Sequence, residues 1–527
     1  MKKYIIGTRG SLLAVTQCNQ IKDLLEQKTN HKFELKKIKT EGDLKTDKPL
    51  WQLDGKDFFT KELDHALLQG EVDLVVHSYK DLGSDRPKEF QLAAITERTF
   101  GNDILFIRKD ILQLLKDKKF NEDFIVGTSS PRRIVNIEAK LNAYLPYGEN
   151  IDVRTKMLRG NVNTRLQKLN DQDYHAIVLA FPGIERLALD EKASKELTPL
   201  IENLEYMILP QSTFPSAASQ GALGIECLRT RDDNGELLQA LQTVDHKLTK
   251  DEVKIERQLF QTYGGGCHLA VGINVTKIGE NYLVSQKGVV NDIQIEYQTL
   301  EGISKPIKAQ FQKAFIGISP KALEKMNFNF ERYLVDELTT KKPIVTEFTC
   351  NAPLVVTSLH TLESLKNSNA SPSSLWAAGT KTMRTLAKAG YWVNGSSDSI
   401  GLSLIEKYLS SALISMFEKN NKAQGEVTLL THDQSSNSFQ NLKSKKIHTY
   451  DLEISESTQD EKEKIEDCPI FYWTSYRQYQ TYISKHPKII NAIHCCGIGK
   501  TYELFKESNI DVHPFYSLKT FDQWLMR

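Results

Sequence analysis

The sequence predicts an α/β protein built from several lobes, and three observations support this fold class. Short apolar and β-branched runs alternate with helical stretches, beginning at residues 4–6 and 12–26. The alternation restarts at residues 124–127 with similar spacing, which indicates a second lobe like the first. A chain of 527 residues is also too long for a single hydrophobic core. At a typical domain length of about 150 residues, it is expected to form roughly three or four folding units.

The expected elements follow in chain order. The first lobe has strands and helices at 4–6, 12–26, 33–38, 61–68 and 72–76. The second has them at 124–127, about 132–141, 151–154, 162–169 and 176–180. Hairpin-like strands at 269–275, 282–290 and 293–300, then helices near 307–315 and 320–325, indicate a smaller α+β unit. Buried strands return at 354–357, 427–430, 470–473 and 492–495, after a junction expected at 337–348.

Composition narrows the function classes. Lys and Arg number 68 against 67 Asp and Glu, a formal charge of +1, so no global field favours nucleic acid. No apolar run approaches the ~20 residues that span a bilayer, and no signal-peptide core follows the N-terminus. Seven sparse cysteines lack metal-ligand spacing. We therefore expect a cytoplasmic protein without metal, membrane or nucleic-acid partners. We also expect a monomer.

Cys267 ends the segment Tyr263-Gly-Gly-Gly-Cys, and this segment has two interpretations. Three glycines leave the thiol uncrowded on its N-terminal side, so a bulky adduct has room to attach there. A glycine turn ending in a small apolar residue that re-enters a core is the more common outcome. The segment alone leaves both interpretations open.

A polar group follows the apolar strand at 72–76: Ser78, Lys80 and Asp81. In open α/β sheets, ligands bind at this carboxyl edge of the strands. An ionised Asp81 beside Lys80 is suited to stabilising a developing cation or relaying a proton. A capping aspartate with a solvated lysine is the alternative.

Cationic side chains concentrate at similar strand ends. Thr128, Ser129 and Ser130 precede Arg132 and Arg133, which together resemble an anion seat at a helix start. Further cations in comparable places are Arg9, Lys56, Lys61, Arg159, Arg165 and Arg186. Because arginine holds planar carboxylates in a fixed orientation, the set predicts a polycarboxylate ligand between two lobes.

Three function classes remain open at this point. A two-lobed anion-binding module needs the arginines but no reactive thiol or carboxylate. A phosphoryl-transfer enzyme is expected to carry Gly-x-x-x-x-Gly-Lys-Ser/Thr, which the sequence lacks. A covalent transferase uses the arginines, the carboxylate and the thiol together.

Six ordered motifs resemble the hydroxymethylbilane synthase family, also called porphobilinogen deaminase. They lie at residues 7–14, 77–81, 127–133, 158–166, 219–226 and 265–267. The resemblance covers roughly residues 1–335 and implies two periplasmic-binding-protein-like α/β lobes and a small α+β domain that carries the cofactor cysteine. We expect lobe 1 at about 1–100 and 202–222, lobe 2 at about 101–201, and domain 3 at about 223–338.

The resemblance also implies a chemistry and its residues. Four porphobilinogen units are joined with loss of ammonia, on a dipyrromethane cofactor attached through Cys267, and Asp81, Lys80 and Arg9 are the implied catalytic residues. Segment 44–59 resembles the mobile lid of the active site. The implied cofactor-binding residues are Cys267, Ser11, Lys56, Ser78, Asp81, Thr128, Ser129, Ser130, Arg132, Arg133, Arg159, Gly160, Arg165, Arg186 and Gln220.

Residues 339–527 resemble uroporphyrinogen-III synthase, a two-lobed α/β enzyme. The resemblance rests on Thr-Ser pairs after two strands and on the segments 378–382 and 496–500. It implies closure of the linear bilane with inversion of the last ring. Lys500 departs from the family's usual threonine, and a partner domain that only binds the bilane or stabilises the first enzyme is the alternative. The implied cleft residues are Thr357, Ser358, Thr382, Thr474, Ser475, Tyr479 and Lys500.

Overall fold

The computed structural model describes residues 1–39, 60–266, 268–301, 313–326, 328, 330–418, 425–432, 439–456 and 458–526. The N-terminal half forms two α/β lobes and a small α+β domain, and the C-terminal part forms two further α/β lobes. The α/β class expected from the alternating pattern is confirmed. No helix in these ranges is long and apolar enough to cross a bilayer.

Lobe 1 is a five-stranded sheet with helices packed on it. Its strands are β1 (Lys3–Thr8), β2 (Lys32–Lys37), β3 (Leu74–Ser78), β4 (Phe90–Ile95) and β10 (Leu223–Leu228). Its helices are α1 (Leu12–Lys28), α2 (Lys61–Leu68) and α8 (Glu236–Gln242). The strand order is β2-β1-β3-β10-β4, with β10 antiparallel to both of its neighbours.

Lobe 2 repeats this topology. Its strands are β5 (Asp103–Arg108), β6 (Phe124–Gly127), β7 (Val153–Lys156), β8 (Ala176–Ala180) and β9 (Leu204–Ile208). Its helices are α3 (Lys109–Lys116), α4 (Pro131–Lys140), α5 (Val162–Asn170), α6 (Phe181–Leu189) and α7 (Glu191–Ile201). The order β7-β6-β8-β5-β9 again contains one crossing strand, β5, antiparallel to both neighbours.

Two chain segments join the lobes, and we call them crossover 1 (residues 96–102) and crossover 2 (residues 209–222). The crossovers amend two expected boundaries. Strand β9 pairs with β5, so residues 204–208 belong to lobe 2, whereas β10 pairs with β3, so residues 223–228 belong to lobe 1. Long-range strand pairing decides these assignments, and local sequence pattern does not carry that information.

Domain 3 contains the long helix α9 (Lys247–Thr262) and a meander of β11 (Ala270–Ile278), β12 (Asn281–Val290) and β13 (Ile293–Glu301). His246 caps the start of helix α9, and its ring accepts a hydrogen bond from the Thr249 amide. The three hairpin-like strands expected after residue 267 are confirmed.

The C-terminal unit has two lobes, joined by an antiparallel ribbon of β16 (Thr339–Pro343) and β22 (Tyr450–Ile454). The inner lobe is a parallel sheet of β17 (Leu354–Val356), β18 (Leu375–Ala377), β19 (Gly395–Ser396), β20 (Glu426–Thr431) and β21 (Lys443–His448). The outer lobe is a parallel sheet of β14 (Ala314–Ile316), β15 (Tyr333–Val335), β23 (Ile470–Trp473), β24 (Ile493–Gly497) and β25 (His513–Phe515).

Helices cover both sheets of the C-terminal unit. Those between inner-lobe strands are α11 (Leu362–Lys366), α12 (Thr380–Lys388), α13 (Ser403–Leu409) and α14 (Ala412–Glu418). Those of the outer lobe and its approach are α10 (Pro320–Leu323), α15 (Gln459–Glu466), α16 (Tyr476–Lys485), α17 (Lys500–Glu507) and α18 (Leu518–Leu525).

The strand pairing of the outer lobe shows that the C-terminal unit starts earlier than expected. Strands β14 and β15 precede residue 338, yet β14 pairs in parallel with β23, so a boundary at 338/339 divides one sheet. The unit therefore begins at or before Ala314. The helix expected at 307–315 is wrong at its described end, because Ala314 and Phe315 lie in β14, and its residues before 313 lie outside the described ranges.

The inner lobe packs closely against lobe 2. One hydrophobic core joins Phe124 and Met207 of lobe 2 to Leu354 and Trp392 of the inner lobe. Edge strands β9 and β19 lie side by side, and the Ile208 amide donates to the Asn394 carbonyl at 2.7 Å. The inner lobe of the C-terminal unit therefore shares a hydrophobic core with lobe 2.

Candidate active site

The cationic side chains lie at the carboxyl ends of parallel strands, at the cleft between lobes 1 and 2. Arg9 follows β1, and Lys80 and Asp81 follow β3. Helix α1 of lobe 1 faces α6 of lobe 2 across the cleft, where Gln20 Nε2 donates to the Arg186 carbonyl at 3.3 Å. The expected placement of a ligand site at this edge is consistent with the topology.

A short 3₁₀ turn, Tyr79–Asp81, presents the Lys-Asp pair. Lys80 is half-buried and its Nζ donates to Gln220 Oε1 at 3.2 Å, whereas the Asp81 side chain is exposed. Burial lowers the pKa of Lys80, and the nearby Asp81 carboxylate opposes that shift. The turn therefore combines a held ammonium group with an accessible carboxylate.

Arg132 and Arg133 converge on a carboxylate that sequence reasoning missed, Asp103. Arg133 forms a two-pronged pair with it, at 3.0 and 2.7 Å, and Arg132 Nη2 lies 2.9 Å away. Gln220 Nε2 also donates to Asp103 Oδ1 at 2.9 Å. Burial alone would raise the pKa of Asp103, but the two guanidinium groups hold it well below its usual range. Arg132 and Arg133 are thus fixed by an internal anion.

Three further arginines, Arg159, Arg165 and Arg186, form no ion pair with a carboxylate among the described residues. Burial lowers the pKa of Arg165 to about 10, and the charges of Arg133 and Arg159 contribute. Burial also lowers the pKa of Arg186 to about 10 and lowers that of Arg159. The nearest acceptors of Arg165 and Arg186 are carbonyls, Gly160 at 2.8 Å and Gly221 at 2.5 Å. Neighbouring arginines whose charge is not balanced by described carboxylates are suited to binding a ligand with several carboxylates.

The small hydroxyl residues have structural contacts of their own. Ser11 caps α1 by accepting from the Ala14 amide, and the Ser78 hydroxyl lies 3.2 Å from Gln17 Nε2. Ser129 joins two loops, since its hydroxyl donates to the Leu158 carbonyl at 2.7 Å. These bonds shape the loops of the anion seat.

The centre of the predicted anion-binding segment, residues 128–133, lies at the start of α4. Thr128 is buried and its hydroxyl accepts from the Ser130 amide at 3.3 Å, next to the helix start. Gly160 has a φ of +118°, and a Cβ there would lie 2.8 Å from Thr164 Cγ2, so the loop before α5 requires glycine.

Cys267 and Lys56 lie outside the described residues, as does the expected lid at 44–59, but the residues preceding Cys267 are described. Gly264, Gly265 and Gly266 all have positive φ, at +97°, +64° and +110°, a run that other residues rarely adopt. The loop leaves the end of α9, which is bound to the Asp81 turn: Arg257 Nη1 donates to the Tyr79 carbonyl at 3.2 Å. The Arg257 guanidinium also lies over the Tyr79 ring, 4.5 Å from its centre.

The other six cysteines are buried free thiols, and they contrast with the glycine-flanked position. Burial raises the pKa of Cys18 to about 12 and that of Cys468 to about 11. A thiol needs its thiolate form to act as a nucleophile. The described cysteines are therefore poorly placed for attachment of a bulky group.

Asp103 was missed because its position depends on an antiparallel pairing. It begins β5, and it pairs with Ala180 at the end of β8, so the N-terminal end of one strand meets the carboxyl end of the other. The only local signal is an acidic residue before an apolar strand, at residues 103–107. That signal does not distinguish a buried counterion from a solvated residue.

The expected C-terminal cleft residues lie at the carboxyl ends of parallel strands in both lobes. Thr357 and Ser358 follow β17, Thr382 lies in α12 after β18, Thr474 and Ser475 follow β23, and Lys500 begins α17 after β24. The lobes contact each other at the same level, since a Cβ on Gly499 would lie 2.7 Å from the Ser399 carbonyl oxygen.

Several of these side chains have local partners. Thr357 Oγ1 donates to the Leu430 carbonyl at 2.8 Å, and Thr474 Oγ1 donates to the Gly317 carbonyl at 2.9 Å. Ser358 and Ser475 are N-cap residues. Lys500 lies 3.6 Å from Glu503.

Tyr479 differs from the other cleft candidates. Its ring is 5% exposed and packs on Trp473 and Phe505, with ring centres 5.6 and 4.8 Å apart. Packing in the core of the outer lobe accounts for this position, so the ring does not form part of an open cleft wall. Helical periodicity alone did not separate these two outcomes.

The connecting ribbon adds a cation that sequence reasoning did not select. Lys341 of β16 keeps contact with solvent, yet the surrounding protein desolvates its ammonium group and lowers its pKa, an effect that Asp336 opposes. Burial also lowers the pKa of His360, with a further contribution from Lys341. The ribbon therefore places a charged group between the lobes.

Comparison with known proteins agrees with this geometry. Residues 4–236 match the family model described as porphobilinogen deaminase, dipyromethane cofactor binding domain. The porphobilinogen deaminase of Gloeobacter violaceus is 36% identical over 290 residues, which cover 55% of this chain and 81% of that protein. The chain belongs to the porphobilinogen deaminase family. The family's enzyme from Sulfurimonas denitrificans is 37% identical over 323 residues, 59% of this chain and 94% of that protein.

Solved structures resemble the chain weakly. The BenM effector binding domain with its effector benzoate aligns with a TM-score of 0.26 and 14% identity, covering 50% of this chain and 95% of that one. The second substrate binding domain of a putative amino acid ABC transporter from Streptococcus pneumoniae aligns with a TM-score of 0.27 and 12% identity, covering 49% and 96%.

The deaminase site fits the cofactor of the matched domain. A dipyrromethane built from the substrate carries acetate and propionate groups, which require cationic donors. Arg159 Nε is buried without a hydrogen-bond partner among the described residues. Arg165 and Arg186 lie in the same cation-rich region with only carbonyl acceptors. The donor set is thus suited to several carboxylates.

Proposed function

We propose that the chain is a bifunctional enzyme of tetrapyrrole biosynthesis. The N-terminal half joins four porphobilinogen molecules into hydroxymethylbilane with release of ammonia, and the C-terminal unit closes this product to uroporphyrinogen III. The observation that carries the first activity is a set of desolvated arginines that form no ion pair with a described carboxylate, together with the Lys80–Asp81 turn at the same edge. The described cysteines are all free thiols, which supports a cytoplasmic location, and we also propose that the enzyme is a monomer.

Cys267 is the proposed attachment point of the dipyrromethane. When bound, this cofactor supplies the terminal pyrrole ring to which each new unit is joined. The chain's contribution is to hold it: three left-handed glycines leave space before Cys267, and α9 ties their loop to the Asp81 turn through Arg257. The burial of the other described thiols supports Cys267 over them.

The remaining residues have distinct proposed roles. Asp81 stabilises positive charge on the pyrrole nitrogens and moves protons during deamination, since it is exposed in the turn that follows β3. Lys80, held by Gln220, and Arg9 assist at the same edge. Arg159, Arg165 and Arg186 bind the acetate and propionate groups. Arg132 and Arg133, together with Asp103, hold the helix start at Thr128–Ser130 in position.

The proposed second activity rests on the two-lobed arrangement of the C-terminal unit. Hydroxyl side chains end parallel strands in both lobes, and Lys341 and Lys500 provide positive charge for a bilane with many carboxylates. Catalysis by holding a reactive substrate in one shape needs few chemical groups. In one chain, the unstable intermediate also has a short path to the second site, where its effective concentration is high.

Product analysis with porphobilinogen as the only substrate tests this proposal. We expect the full chain to yield uroporphyrinogen III. Lys500→Met is expected to lower the type III fraction, whereas Lys488→Met, a matched exposed lysine paired with Glu466, leaves it unchanged. Type I uroporphyrinogen alone from the unsubstituted chain would mean that the C-terminal unit does not cyclise the bilane. No consumption of porphobilinogen would contradict the first activity as well.

A further inference from the structure

Helix α13 of the C-terminal unit contacts crossover 1, which links the two deaminase lobes. The Tyr408 side chain is buried, and its ring stacks on Phe100 with centres 5.7 Å apart. Its hydroxyl donates to Asn102 Oδ1 at 3.0 Å. On the preceding residue, Lys407 Nζ lies 5.7 Å from the centre of the Phe100 ring. A residue of the second unit therefore donates a hydrogen bond to the last residue of crossover 1 in the first unit.

Asn102 connects this contact to crossover 2. Its Nδ2 donates to the Leu209 carbonyl at 3.0 Å, so it joins the ends of both crossovers. The backbone carbonyl of Asn102 accepts from Gln220 Nε2 at 3.2 Å. Because the side chain is buried, each of these groups depends on its protein partner.

Gln220 carries the connection into the active site. Its amide nitrogen donates to Asp103 Oδ1 at 2.9 Å and to the Gly101 carbonyl at 2.9 Å. Its amide oxygen accepts from Lys80 Nζ at 3.2 Å. Tyr408, Asn102 and Gln220 are buried and, with the half-buried Lys80, form one hydrogen-bonded series that ends beside Asp81.

The inner lobe also contacts crossover 2 directly. The Ser212 amide donates to Asp398 Oδ2 at 2.7 Å, and the Ser212 hydroxyl contacts the other oxygen of the same carboxylate. Burial raises the pKa of Asp398, while these bonds from Ser212 oppose the shift. The inner lobe thus contacts both segments that join the two deaminase lobes.

We propose that Tyr408 is a positioning residue for porphobilinogen deamination, acting through Asn102 and Gln220 on Lys80. The C-terminal unit then has a role in the first reaction that is separate from any activity of its own. The inference rests on the proposed deaminase activity. Arg159 and Arg165, the proposed carboxylate-binding arginines, do not belong to the hydrogen-bonded series. Loss of the Tyr408 hydroxyl is therefore expected to change kcat more than KM.

Tyr408→Phe in the full chain tests the proposal, because it removes one hydroxyl and keeps the ring. We expect kcat for porphobilinogen consumption to fall about tenfold, with KM changed less than about twofold. Tyr333→Phe is the matched control, since the Tyr333 hydroxyl donates to Asp522 within the outer lobe. Tyr333→Phe is expected to leave kcat unchanged. Its melting temperature is expected to shift by about as much as that of Tyr408→Phe.

The double variant Tyr408→Phe/Asn102→Ala separates positioning from general loosening. If Tyr408 acts through Asn102, the double variant is no slower than Asn102→Ala alone. Equal kcat for wild type and Tyr408→Phe, or fully additive losses in the double variant, would overturn the positioning role while leaving the deaminase proposal intact. A wild-type chain that neither consumes porphobilinogen nor carries a pyrrole adduct would overturn both.

Discussion

Replacing Asp81 with asparagine is expected to slow porphobilinogen turnover by about 10²- to 10⁴-fold while leaving the protein folded. The Asp81 side chain is exposed and its substitution changes charge without changing size. In the proposed mechanism the cofactor is attached through Cys267 and held by the arginines, so the adduct mass is expected to remain. Steady-state kinetics and intact mass measure the two effects separately.

Asp85→Asn provides the matched control for Asp81. Asp85 is exposed on the same loop, and its substitution removes the same charge four residues further along the chain. We expect it to retain nearly normal turnover. Near-normal rates in Asp81→Asn, or an equal loss in Asp85→Asn, would remove Asp81 from the proposed chemistry.

Asp103→Asn is expected to lower the free energy of unfolding by about 3–5 kcal/mol, because it leaves two buried guanidinium groups without their shared anion. Turnover is expected to fall with it, since Gln220 and the anion seat lose their common partner. Asp110→Asn is the control: its pair with Arg108 is at the surface, with Asp110 59% exposed, and such pairs contribute about 0–1 kcal/mol. Denaturant unfolding at pH 7 compares the three chains.

The pH dependence gives this prediction a direction. The pKa of Asp103 is lower in the folded state than the value of about 4 in the unfolded chain, so its stabilisation is present above pH ~4. It is lost as pH falls below that value, by about 1.4 kcal/mol per pH unit. The stability difference between wild type and Asp103→Asn should therefore narrow from pH 4 to pH 3. A constant difference would show that Asp103 does not act as an ionised counterion.

The strand-end cations were predictable because parallel strands bring their carboxyl ends to one edge. Arg159 and Arg165 follow this rule, and the pattern alone located them. This rule did not find Asp103, because β5 is antiparallel to its neighbours and brings its N-terminal end to that edge. The same long-range pairing moved residues 204–208 into lobe 2 and residues 223–228 into lobe 1.

The C-terminal unit shows a second limit of local pattern. Strand β14 has three residues, too few for a periodicity to be recognised, and only its pairing with β23 assigns it to the outer lobe. Tyr479 has the spacing of a cleft residue but packs in an aromatic core. Tyr408 lies more than 300 positions from Asn102, and contacts at such separation leave no trace in a single sequence.

Intact mass spectrometry of the full chain tests the central claim, a dipyrromethane carried on Cys267. The protein is purified from cells that make porphobilinogen, alongside Cys267→Ser and the control Cys350→Ser, whose thiol is buried. We expect wild type and Cys350→Ser to carry the added mass of two pyrrole units, and Cys267→Ser to carry none. An unmodified wild-type chain, or an adduct that persists on Cys267→Ser, would contradict the claim.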